Sequence, residues 1–99
     1  MSTLFKSIEG EEVLTRNKFV YSCTWVRENI ALIHGTRLDV PMEVFEVWKL
    51  RTTHENDKHP NKWGVSFPSN NNFGYYGWSY DTLEAATKKF DSLVNEAKE

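Results

Sequence analysis

A chain of 99 residues allows one ordinary domain with one modest core and leaves no room for a cleft between domains. Hydrophobic residues make up 39% and aromatic residues 14%, and each large ring can bury roughly 150–250 Å², so the composition is that of a folded protein and excludes a disordered one. A net charge of −2 excludes both a general attraction to phosphate backbones and a carboxylate-coated mimic of nucleic acid.

The N-terminal stretch "STLFKSIEGEEVL" is mixed, with Gly10 beside the acidic cluster Glu9, Glu11 and Glu12. It is compatible with a short strand or a helical turn leading into the domain. It lacks the positive start and apolar stretch of a secretory leader, and no apolar run approaches the ~20 residues of a membrane-spanning helix. A single cysteine, Cys23, forms no internal disulfide. These features predict a soluble cytoplasmic protein.

"KFVYSCTWVREN" alternates as a strand does, with Phe19, Tyr21, Cys23 and Trp25 on one face and Val20, Ser22, Thr24 and Val26 on the other. Glu28 and Asn29 then predict a tight hairpin, because Asn tolerates positive φ. "IALIHGTRL" is the returning strand, with Gly35 expected at a bulge or bend. After Pro41, residues Glu43 to Thr52 form a strand apolar on both sides. Val44, Glu46, Trp48 and Leu50 share one face, and Phe45, Val47, Lys49 and Arg51 the other.

Residues Thr53 to Lys62 form a polar loop. "KWGVSF" alternates cleanly, with Trp63, Val65 and Phe67 on one face, and "PSNNN" is a second loop. "DTLEAATKKFDSLVNEAKE" is a helix. Asp81 is its expected N-cap, with Glu84 completing a capping box. Leu83, Ala86, Phe90, Leu93, Val94 and Ala97 form its apolar stripe. Glu84 and Lys88 make an i,i+4 pair. Together these elements predict a single α+β domain: an antiparallel sheet of about four to five strands with the C-terminal helix packed on one face.

The segment "NNNFGYYGWSYDTLEAA" raises the question of function. If it is extended, Phe73 and Tyr75 point one way and Tyr76, Trp78 and Tyr80 the other. One reading has Trp78 and Tyr80 completing the core beside the helix start, with the glycines easing tight turns. The other starts from a helix that covers one face only, leaving the opposite face wet or available to a partner. Phe73, Tyr75 and Tyr76 then form a docking surface of the kind rings supply at interfaces.

Chemistry is poorly supplied. The loop residues His54, Glu55, Asp57 and His59 lack the thiolates of a structural zinc site and the rigid third ligand of a catalytic one. Cys23 sits mid-strand among apolar neighbours, as a small hydrophobe does. Glu43 and Glu46 face opposite sides of one strand and cannot act as a pair. No nucleophile elbow, Walker loop or dinucleotide fingerprint occurs. The expectation is a protein with no enzymatic activity, cofactor or metal. Nucleic acid is the alternative partner. Lys49 and Arg51 share a predicted face, and Lys62 and Trp63 join them if the "KWGVSF" strand pairs alongside, giving a basic and aromatic surface for a single strand. A solvated face with long basic stems predicts the same residues.

The order "VFEVWKLRT … HP … WGVSFPSNNNFGYYGWSYDTLEAATKKF" resembles small uncharacterised accessory proteins of bacteriophages and prophages. In these, a strand of similar type leads through a loop to an aromatic "PSN…FG…GWSY" segment and an "LEAA…KF" helix. The resemblance covers Val44 to Phe90 and leaves out "YSCTWVRENIALIHG". It implies an accessory protein made during infection that works in a bacterial cytoplasm as an inert binder of a host or phage protein. Self-association through an exposed edge strand is a further expectation.

Overall fold

A computed structural model describes residues 5–52, 65–67 and 77–98. After a 3₁₀ turn at Phe5–Ile8, four strands follow in close succession: β1 (Glu12–Arg16), β2 (Phe19–Arg27), β3 (Ile30–Arg37) and β4 (Glu43–Lys49). With β7 (Gly77–Tyr80) they form a five-stranded sheet in the order β1-β2-β3-β4-β7, every neighbour antiparallel. The short strands β5 (Arg51–Thr52) and β6 (Val65–Ser66) pair in a separate two-stranded ribbon. The C-terminal helix α1 (Leu83–Lys98) crosses β3, β4 and β7. The fold is α+β, with one helix on one face of an antiparallel sheet. No helix among the described residues is long and apolar enough to cross a membrane.

Turn chemistry sets the strand register. Asn17 (φ 55°) and Lys18 (φ 69°) join β1 to β2 with two left-handed residues, matching the twist of a tight hairpin. In the next hairpin Glu28 takes the positive φ (55°), the residue before the Asn expected to supply it. Gly35 lies in regular pairing between Tyr21 and Val44, not at a bulge. Its missing side chain makes room for Tyr21, since a Cβ there would meet Tyr21 Cε1 at 2.8 Å and Val44 Cγ2 at 2.9 Å.

Residues 43–49 run as one strand, which ends before Leu50. The Leu50 amide donates to the Asn29 carbonyl (2.7 Å), and Asn29 Nδ2 donates to the Leu50 carbonyl (3.4 Å). These bonds keep Leu50 beside the start of β3, and beyond it Arg51 and Thr52 pair with Ser66 and Val65 instead.

Both faces of the sheet are cores. On the helix side, Ile30, Leu32 and Val47 pack against Ala86, Phe90, Leu93 and Val94, with Phe45, Trp78 and Tyr80 at the margin. Trp78 and Tyr80 thus join the helix-side core. On the other side, Tyr21, Cys23, Val26, Ala31, Ile33, Trp48 and Leu50 pack beneath Ile8 and Val65, with Phe5 and Phe67 against them. The expectation that this second face is wet or left for a partner is corrected: the 3₁₀ turn and residues 65–67 cover it. At the helix start, Thr82 is the cap in place of Asp81. Its Oγ1 accepts from the Ala85 amide (3.2 Å) and its carbonyl from the Ala86 amide (3.2 Å). Leu83 and Ala97, expected on the buried stripe, are exposed.

Candidate functional site

The sheet has a register shift in β1, between Glu12 and Leu14, and another in β2. Cys23 pairs with Ile33 and Trp25 with Leu32, so Thr24 is an extra residue. That bulge shifts the alternation by one position. Val26, expected opposite Cys23, joins it in the second core with no exposed surface. Trp25, expected beside Tyr21 and Cys23, turns to the helix side and is 47% exposed. There it borders a groove of about 410 Å³ between the end of β2 and α1, lined also by Arg27, Phe90, Asp91, Val94 and Asn95. An exposed indole and a guanidinium thus stand on one wall, with the rims of two core residues and the polar Asp91 and Asn95 on the other. This arrangement suits an apolar or aromatic side chain of a partner framed by polar contacts, the composition typical of interface anchors.

The bulge is tied from the N-terminal side. The Val26 amide donates to Glu9 Oε2 (2.7 Å). The Gly10 amide donates to the Cys23 carbonyl (2.8 Å), and the Cys23 amide to the Glu11 carbonyl (2.9 Å). Burial, and then the Glu9 charge, push the Cys23 thiol up to about 12. It stays protonated at neutral pH and is a poor nucleophile.

Glu46 is the charged side chain buried among the described residues. Its Oε1 accepts from Trp48 Nε1 (2.8 Å). Burial raises its carboxyl above the ordinary range, opposed by the Trp48 hydrogen bond and the Arg16 charge. Burial and the Glu46 charge likewise raise the Tyr21 phenol, while Arg16 lowers it. Glu43 lies on the opposite face, as the spacing predicted. Its carboxylate stands 3.6 Å from His34 Nε2, and the His34 ring stacks on Phe45 with centroids 5.1 Å apart.

Of the expected nucleic-acid surface, Lys49 lies in β4 and Arg51 in the separate ribbon, divided by the break at Leu50. Lys49 Nζ sits 6.0 Å from the Trp78 ring centroid, and Lys89 Nζ sits 4.6 Å from it. Lys62 and Trp63 lie outside the described residues, as do the loop residues His54, Glu55, Asp57 and His59 and the docking residues Phe73, Tyr75 and Tyr76.

At the far end of the sheet the β3–β4 loop exposes Leu38, Val40 and Met42. Arg37 holds Asp39 through two contacts (2.6 and 3.3 Å), and Lys18 approaches it at 3.6 Å. The Arg37 hydrogen bond is the main cause that keeps the Asp39 carboxyl below its ordinary range.

Comparison of the chain with protein-family models, with curated proteins and with solved structures finds no match.

Proposed function

We propose that this protein is a small non-catalytic binding protein that engages another protein through aromatic side chains. The observation that carries the reading is the half-exposed Trp25 beside an open groove whose other wall is α1. A large ring left out of both cores is the kind of side chain that supplies binding energy at interfaces. The burial of Cys23 and the hydrogen bond that holds Glu46 to Trp48 support a role without chemistry. The likeness of Val44–Phe90 to phage accessory proteins suggests a phage-encoded product meeting a host or phage protein in the bacterial cytoplasm, and Phe73, Tyr75 and Tyr76 remain proposed contributors to the same kind of contact.

The test is affinity capture from infected and uninfected cells, followed by measured affinities for the captured protein. Trp25→Ala is expected to weaken binding by at least roughly 30-fold, equivalent to about 2 kcal/mol. The melting temperature should stay within a few degrees. Unchanged affinity in Trp25→Ala and in Tyr75→Ala/Tyr76→Ala would remove the proposal.

A second reading, binding of single-stranded nucleic acid, rests on the two ammonium groups gathered over Trp78. It requires an oligonucleotide to quench tryptophan fluorescence at low salt, with the effect fading as salt rises. Absence of quenching at low salt ends it.

A further inference from the structure

Trp25 faces the groove only because β2 carries one residue too many. From Phe19 to Cys23 the strand alternates regularly, and from Trp25 to Arg27 it alternates again, one step out of phase. The extra residue, Thr24, is exposed and contributes no side chain to either core. Its position in the strand must be fixed by backbone contacts. β1 is paired with β2 only as far as Ser22. Beyond that point the segment Glu9–Glu11 takes over the outer edge of β2, with two backbone hydrogen bonds at Cys23 and one side-chain bond at Val26. The side-chain bond lies just past the bulge, is short, and has an ionisable carboxylate as acceptor, which makes it the strongest type of bond available to a backbone amide.

We propose that Glu9 is a positioning residue for the docking surface: its carboxylate, bound to the Val26 amide, pins the Thr24 bulge in place and so keeps Trp25 on the helix side of the sheet. The N-terminal turn therefore does two jobs. Ile8 closes the second core, and the adjacent Glu9 sets which way the indole points on the opposite face. Shortening the side chain by substitution leaves the Val26 amide without its acceptor. The extra residue is then free to shift along β2, and each one-residue shift carries a side chain from one face to the other.

The inference rests on Trp25 being the docking ring, but its test needs no partner. The protein is labelled with 5-fluorotryptophan, and the Trp25 fluorine signal is assigned by its loss in Trp25→Phe. Broadening by a soluble gadolinium chelate reports exposure of each indole. In the unmodified chain Trp25 is expected to broaden strongly and Trp48, fully buried, hardly at all. Glu9→Ala should move or split the Trp25 signal and cut its broadening at least twofold, with Trp48 unaffected. Glu9→Gln, which keeps an oxygen acceptor, should restore the original signal. An unchanged Trp25 signal in folded Glu9→Ala overturns the proposal, as does failure of Glu9→Gln to restore it. If Glu9→Ala alone does not fold, the same substitution is read in a chain with Thr24 deleted. There the strand alternates without a bulge and places Trp25 outward by itself. A folded protein with the unmodified Trp25 signal supports the role of Glu9, and an altered signal or no fold overturns it. Loss of this role would leave the partner-binding effect of Trp25→Ala intact, so the two ideas fail separately.

Discussion

Glu46 sits on the apolar face that Tyr21 and Trp48 share: Gly35 lets the Tyr21 ring lie close to β3, the ring meets Trp48 on β4, and Trp48 donates to Glu46 at 2.8 Å. Glu46 is 4% exposed, and desolvation outweighs the stabilisation its carboxylate receives from Trp48 and Arg16, so it holds its proton more tightly in the folded state than in the unfolded one. A carboxyl that holds its proton more tightly when folded makes its full contribution at acid pH. That contribution is lost as pH rises from the ordinary value of 4.5 through the raised native one. Glu46→Gln keeps an oxygen for Trp48 and cannot ionise. It should be more stable than the unmodified protein near neutral pH, by on the order of 1 kcal/mol. The gap should close as pH falls through the raised native value toward 4.5. Urea melts at several pH values measure this, and a gap independent of pH, or a less stable Gln variant at neutral pH, contradicts it. Sequence spacing alone separated Glu46 from Glu43, because alternation within one strand is local. It could not show Gly35 as a seat for Tyr21, since that depends on a ring from the neighbouring strand.

At the scale of elements, the strands and the helix were legible where side-chain periodicity is strong: β2, β3, β4 and α1 all fall where alternation or a helical stripe predicts them. The departures are single-residue events that periodicity cannot report. The Thr24 bulge exchanges the faces of Trp25 and Val26, and this is why the groove beside Trp25 had no signal in the sequence. The break at Leu50 is a change of partner, from β3 to residues 65 and 66, which lie outside the strand's own pattern. The helix start moves by one residue because Thr82, not Asp81, reaches the Ala85 amide. That shift is measurable. Thr82→Ala removes the cap and should lower stability by about 1 kcal/mol. Asp81→Ala removes only an interaction with the helix dipole and should cost no more than a few tenths. Chemical denaturation of the two variants decides between them, and equal losses, or a larger loss for Asp81→Ala, would return the cap to Asp81.

For the whole molecule, the consequential difference between expectation and structure is the second core. The apolar residues of β2 to β4 were evident on both faces of the sequence pattern, but only the helix was recognisable as a cover. The other cover consists of the 3₁₀ turn, too short to carry a period, and of residues 65–67, whose alternation was legible but whose place over the second face was not. A sheet with a core on each side has a simple mechanical consequence: β3 and β4 contribute alternate residues to both cores, so neither can melt while the other keeps its strands ordered. Ile8→Ala on one side and Phe90→Ala on the other should therefore act alike, although one residue lies in a four-residue turn and the other in a long helix. Both are nearly or fully buried, and such truncations cost about 2–5 kcal/mol. Each variant should unfold in one transition, with tryptophan fluorescence and helical circular dichroism changing together and the urea dependence unaltered. If Ile8→Ala left stability within a few tenths of a kcal/mol, or if fluorescence changed well before helicity, the N-terminal turn would be a loose appendage. The opposite face would then be open after all.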